Sequence, residues 1–131
     1  FLTEIFNGKN IGLMSEAGVP CIADPGNKVV EIAHEMEIKV VPLVGPSSIV
    51  LALMASGFNG QQFAFNGYLP IDSAERKNKL LQMEAAGKKG NTQIFMDTPY
   101  RNQRLLEEII QFCKFDTMLC IATCGMEKTK T

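Results

Sequence analysis

Residues 38–57 read IKVVPLVGPSSIVLALMASG. Ile38 to Leu43 is a β-branched run that predicts a strand. Gly45-Pro46-Ser47-Ser48 follows, with Pro and Ser suited to a helix start. The helix is expected over Ile49 to Ser56, with Gly57 at its C′ position. Upstream, Asn10 to Ser15 (NIGLMS) is a second short apolar run, ended by the Gly- and Pro-rich SEAGVPCIADPG. From Asn27 the period changes: Val29, Val30, Ile32, Ala33 and Met36 fall on one helical face, with Lys28, Glu31 and Glu35 opposite. Strand, loop, helix, strand, loop, helix is a βαβα unit, which predicts an α/β fold with parallel strands and right-handed crossovers.

Downstream of Gly57-Phe58-Asn59-Gly60, a Gly/Asn punctuation that reads as a short linker, the theme repeats. Phe63 to Tyr68 (FAFNGY) alternates as a strand does. Asp72-Ser73 caps a charged helix from Ala74 to Ala86, with Leu80, Leu81 and Met83 on its apolar face. After a Gly87–Gly90 turn, Thr92 to Met96 (TQIFM) is a strand. Thr98-Pro99 starts a helix that carries Leu105, Leu106, Ile109, Ile110 and Cys113 inward, and Thr117 to Ala122 (TMLCIA) is expected as a last strand. The expected domains are therefore 1–60 and 61–131.

Composition excludes several classes. The 131 residues are 46% hydrophobic with net charge −1, which is not the profile of a disordered chain. No apolar run approaches the ~20 residues of a membrane helix. Charge is uneven: residues 1–60 carry 3 Lys/Arg against 6 Asp/Glu, residues 61–131 carry 10 against 8. Cysteines 21, 113, 120 and 124 form no Cys-x-x-Cys pair, and with His34 as the one histidine a zinc site is not expected. They read as reduced thiols of a cytoplasmic protein, Cys113 and Cys120 as small buried hydrophobes. The chain opens at Phe1 without an initiator Met and stops in EKTKT, which reads as a fragment.

The loop from Ser15 to Gly26 is where chemistry is expected. It sets Gly18, Pro20, Pro25 and Gly26 beside Glu16 and Asp24 after a predicted strand, where ligands of open α/β sheets bind. Glycine lets backbone approach a ligand closely, and twelve residues exceed the ~2–6 of an ordinary connection. The plainer reading is a strand-to-helix turn with a capping Asp. Neither Gly-x-x-x-x-Gly-Lys-Ser/Thr nor Gly-x-Gly-x-x-Gly is present, so a phosphate cradle for ATP or NAD is not indicated. His34 lies on the polar side of its helix and reads as solvated. Arg76, Lys77, Lys79, Lys88, Lys89, Arg101 and Arg104 offer an anionic partner a foothold or form an ordinary solvated face. Tyr100-Arg101 pairs an aromatic with a guanidinium, which can stack on a base and contact phosphate. Asp97 ahead of them is either functional or an acid favourable to the dipole of the next helix.

In these segments the chain resembles the tetrapyrrole (corrin/porphyrin) methylase superfamily of S-adenosylmethionine-dependent methyltransferases. Within it, the chain is most similar to the branch that 2′-O-methylates a cytidine of small-subunit ribosomal RNA. Ser15-Glu16-Ala17-Gly18-Val19-Pro20 and Asp24-Pro25-Gly26 resemble that branch's Ser-Asp-Ala-Gly-Thr-Pro…Asp-Pro-Gly. Val40-Val41-Pro42-Leu43-Val44-Gly45-Pro46-Ser47, Ala55-Ser56-Gly57, Gly67-Tyr68-Leu69-Pro70 and Asp97-Thr98-Pro99-Tyr100-Arg101 follow in the family's order. Glu16, Val19 and Asp97 stand where the family has Asp, Thr and Glu, and Ala122-Thr123-Cys124-Gly125 does not match its Ala-Arg-Glu-Leu-Thr-Lys.

The resemblance implies a two-domain α/β fold truncated at its N-terminus, the family's first strand and Gly-rich loop lying upstream of Phe1. On that reading residues 1–60 are the C-terminal portion of the cofactor-side domain, and 61–131 are a second domain incomplete at its end. It implies S-adenosylmethionine held by Ser15, Glu16, Ala17, Gly18, Val19, Ile22 and Pro46, and substrate met by Asp97, Tyr100 and Arg101. The implied partners are ribosomal RNA or the small ribosomal subunit, with a homodimer as the assembly. The cofactor carries a sulfonium and no phosphate, so backbone carbonyls and apolar walls suit it. No residue identifies itself as a general base; Asp97 and Glu16 are candidates, and the catalytic residue is unassigned. A tetrapyrrole C-methyltransferase is the alternative enzyme, and an inactive α/β dimerisation module the alternative outside enzymes.

Overall fold

The structure, a computed structural model, describes residues 3–123. Helix α1 is Thr3–Phe6, α2 Asn27–Glu35, α3 Ser48–Ser56, β1 Phe63–Tyr68, α4 Ser73–Gly87 and β2 Thr92–Met96. A single 3₁₀ turn, Pro99–Arg101, leads into α5, Asn102–Phe112. Packing divides the chain between Ser48 and Ile49. No helix of the described residues is long and apolar enough to cross a membrane.

In the second unit, β1 and β2 pair in parallel, with Phe63 beside Thr92 and Phe65 beside Ile94. Parallel strands cannot be joined by a tight turn, and α4 supplies the crossover. Its start follows the sequence closely: Asp72 Oδ1 accepts from Ala74 N and Glu75 N, both at 2.9 Å, which satisfies donors no helical carbonyl can reach. At its other end, Glu84 accepts from Lys114 N at 2.7 Å and from the Thr117 hydroxyl, and ties down the segment after α5. Those two donors hold the Glu84 carboxyl below its usual range. The core is Leu69, Leu80, Met83 and Leu105, flanked by Phe95, Ile109, Phe112 and Cys113. Burial pushes the Cys113 thiol up.

Pairing shifts register between Phe65 and Tyr68, where Gly67 takes φ +66°. A residue with a Cβ resists that conformation, and the irregularity re-aims the chain as it leaves the strand. What it delivers is the turn Leu69-Pro70-Ile71, on which the site below depends.

Three expected strands are absent. Residues 10–15, 38–43 and 117–122 form no ladder with any described residue. A strand is held by hydrogen bonds to its neighbour, and β-branched composition without a partner leaves only an irregular extended segment. Four inward assignments also fail: Ile110 of α5 is 73% exposed, Leu106 of α5 and Leu81 of α4 are exposed as well, and Cys120 is exposed rather than buried. Cys124 and the comparison at Gly125 lie outside the described residues.

The first unit holds little core. Ala33 is its buried hydrophobic residue, with Val29 and Val30 half-buried beside it on α2. Ile32 and Met36, expected on the same face, stay largely exposed, as does His34. Helix α3 ends as its sequence demands, with Gly57 at φ +71°.

Candidate functional site

Two separate cavities hold the residues of interest, one in each unit. The first lies along the Ser15–Gly26 loop, with a volume of ≈ 390 Å³. Its walls are the apolar Leu13, Met14, Pro25 and Val29, joined by Ser15, Gly26 and the carboxylates of Glu16 and Asp24; none of the described basic residues lines it.

The loop's shape has local causes. The Ser15 hydroxyl donates to Ala17 O at 2.7 Å and closes a tight turn. Gly18 follows at φ +75°, and a Cβ placed there would lie 3.8 Å from Pro46 O. Val19 Cγ1 would meet a Cβ on Gly45 at 2.8 Å. The loop and the Gly45-Pro46 turn therefore touch at Gly18 and Val19. Of the expected cofactor residues Ser15 and Glu16 line the cavity, whereas Ala17, Gly18, Val19 and Pro46 do not. Ile22 is exposed on the loop's far stretch and does not line the cavity. Around it Cys21 and Ala23 take φ +68° and +55°, conformations that cost a non-glycine residue of order 1–2 kcal/mol. Gly26 caps α2 at φ +130°, with its carbonyl accepting from Val29 N and Val30 N. No side chain caps that helix, so Asp24 is free of the capping role a plain turn would give it.

The second cavity, ≈ 300 Å³, is lined by Ile71, Arg76, Asp97, Tyr100, Arg101, Arg104 and Leu105. Asp97 ends β2's exit, its side chain 2% exposed. Oδ1 accepts from Thr98 N at 2.8 Å and pairs with Arg101 Nε at 3.1 Å, while Oδ2 and the neighbouring Thr98 hydroxyl are buried without partners. Arg101 Nη2 donates to Leu69 O at 3.1 Å and more weakly to Pro70 O at 3.4 Å. Tyr100 projects outward, 85% exposed.

Arg76 is not part of a solvated face. It is buried, its Nη1 donating to Pro70 O and Ile71 O, both at 2.7 Å. Its Nε and Nη2 grip the buried Glu108, the latter at 2.6 Å. Glu108 also accepts from Ser73 Oγ and Arg104 Nε, each at 3.2 Å. These donors, Arg76 above all, outweigh burial and bring the Glu108 carboxyl down to about 2, and Glu108 in turn raises Arg76. The signal for Arg76 was its spacing: positions 76, 80 and 83 share a helical face, and Leu80 and Met83 are core.

Apolar walls with two carboxylates and no cation suit a positively charged, phosphate-free ligand in the first cavity. Ordered sequence similarity leads the same way: the chain belongs to the tetrapyrrole (corrin/porphyrin) methylases, whose family model matches residues 2–131. Among curated relatives, "Ribosomal RNA small subunit methyltransferase I" of Vibrio cholerae is 37% identical over 98% of this chain and 42% of its own length. The protein of that name from Haemophilus influenzae is 41% identical over 81% of this chain and 36% of its own. That from Mesorhizobium japonicum is 36% identical over 99% and 42%. The chain thus spans about two fifths of the length of these relatives.

Proposed function

We propose that the protein is an S-adenosylmethionine-dependent methyltransferase that 2′-O-methylates a ribose of small-subunit ribosomal RNA. The observation that carries this reading is the ordered match, across nearly the whole chain, to relatives named as small-subunit ribosomal RNA methyltransferases. The chemistry of the first cavity supports the cofactor half. The cofactor supplies an electrophilic methyl on a cationic sulfur. Glu16 and Asp24 neutralise that charge, Leu13, Met14, Pro25 and Val29 exclude water, and the Ser15–Val19 backbone offers carbonyls. Gly18 keeps that backbone free of a Cβ where it nears Pro46. The cofactor residues are then Ser15 and Glu16 in the cavity wall, with Ala17, Gly18, Val19, Ile22 and Pro46 carried over from the family resemblance.

Substrate is assigned to the second unit, at the cavity that Asp97, Tyr100 and Arg101 help to line. Alignment of acceptor and methyl supplies most of the acceleration for an in-line displacement. The protein works in the cytoplasm, where its substrate is, and as a homodimer, which sedimentation equilibrium checks. The activity test supplies labelled S-adenosylmethionine and small ribosomal subunits. The expected result is label in ribose, recovered as an alkali-resistant dinucleotide because a methylated 2′-oxygen cannot cleave its neighbouring phosphodiester. Label transferred to a tetrapyrrole, with none in RNA, overturns the reading.

A further inference from the structure

Arg101 is the guanidinium that the motif Asp97-Thr98-Pro99-Tyr100-Arg101 advertises, yet its head is occupied. Nε faces Asp97, and Nη2 is committed to the carbonyls of Leu69 and Pro70. Arg76 is still more fully used, by Glu108 and by the carbonyls of Pro70 and Ile71. Arg104 differs. Only its Nε is engaged, with Glu108, and its side chain is 69% exposed at the mouth of the same cavity. Arg76 with Glu108 and Arg101 with Asp97 are balanced pairs, so Arg104 supplies the cavity's net positive charge. Beside it stand two exposed non-polar surfaces, the Tyr100 ring and Ile71, 83% exposed on the turn that Arg76 and Arg101 hold.

We infer that Arg104, Tyr100 and Ile71 form a subsite for one unpaired nucleotide of the RNA, with Arg104 on its phosphate and Tyr100 and Ile71 against its base. Asp97 and Arg101 are then positioning residues that fix the wall of the subsite. This rests on the reading of RNA as substrate. A cation and an aromatic face a few residues apart are what an unpaired nucleotide needs, since every base has a π-face and every linkage a negative charge. A cavity of ≈ 300 Å³ is at the small end of the ~300–1,000 Å³ range of ligand pockets. That suits one nucleotide.

The test is fluorescence anisotropy of the full chain with a labelled, unstructured hexaribonucleotide, titrated over a series of salt concentrations. Arg104→Ala is expected to weaken binding about tenfold and to reduce the salt slope by about 0.7, the share of one phosphate on a single strand. Arg104→Lys should keep the slope, since a phosphate contact needs charge. Tyr100→Ala should weaken binding roughly fivefold and leave the slope unchanged, because stacking releases no counterions. Tyr100 is exposed, so its variant should melt with the parent; Arg104→Ala also gives up a hydrogen bond to Glu108 and should melt slightly lower while staying folded at the assay temperature. Wild-type slope and affinity in Arg104→Ala overturn the inference, as does failure of the parent chain to bind the hexanucleotide. Binding that tracks Arg104 while no methyl reaches ribosomal RNA would sink the proposed substrate and leave the subsite standing. Methylation with binding indifferent to Arg104 would do the reverse.

Discussion

The two units of this chain solve the same problem with different means. Residues 49–123 own a small core, a parallel strand pair and a buried ion pair, so their cavity is walled by side chains that hold one another. Residues 3–48 bury one apolar side chain, Ala33, and shape their cavity through backbone: a serine-closed turn, glycines at positive φ and two strained non-glycine residues. A loop that walls a cavity can thus be specified locally, at a cost in strain, where a core does not specify it. The second unit should be sensitive to lost partners and lost volume, the first to an added Cβ.

The sharpest break of that contrast is Glu108→Ala. It leaves Arg76 buried without its counter-ion and should destabilise the second unit by about 3–5 kcal/mol in urea unfolding. Leu80→Ala, which empties the centre of the core, should cost about 2–5 kcal/mol in the same measurement. Acid should act through Glu108 as well. Its carboxyl is brought down to about 2 in the folded state and returns to the ordinary glutamate value of about 4.3 when unfolded. Between those values the unfolded chain binds the extra proton, so stability is full above about pH 5 and falls as pH drops toward 2. Glu84 adds the same sign. Glu108→Gln should flatten the decline, followed as urea midpoint against pH.

In the first unit, Gly26→Ala forces a Cβ to 2.8 Å from Leu13 Cδ2 at φ +130°. It should cost roughly 1–3 kcal/mol and weaken S-adenosylhomocysteine binding by calorimetry, since Gly26 and Leu13 both line the cavity. The smallest effect should come from Val44→Ala, a fully exposed residue whose truncation should stay within about 0.5 kcal/mol. A large loss there would mean that the first unit has a core after all.

Legibility in the sequence followed the same division. Phe63–Tyr68 and Thr92–Met96 were readable as strands to the residue, and Asp72 as a cap, because alternation and capping are local signals. Ile38–Leu43 carried an equally strong β-branched signal and formed no strand, because pairing depends on a neighbour that composition does not name. At the first site, the Gly/Pro run disclosed a loop, while the left-handed Cys21 and Ala23 had no signature. At the second, Tyr100-Arg101 stood out. Arg76 was hidden among other cations until its helical face was counted, and Glu108 had no motif at all.

The carbonyl of Pro70 accepts from two arginines on different elements, Arg76 of α4 and Arg101 ahead of α5. A peptide group held from two directions can be released only when both holders let go. The turn, α4 and the start of α5 should accordingly open as one cooperative unit, so that their slowly exchanging amides report a shared opening free energy, distinct from that of the Ser15–Gly26 loop. Local fluctuation in the wall of the second cavity is thereby tied to the opening of its helices, and anything that arrives there meets a surface already in place.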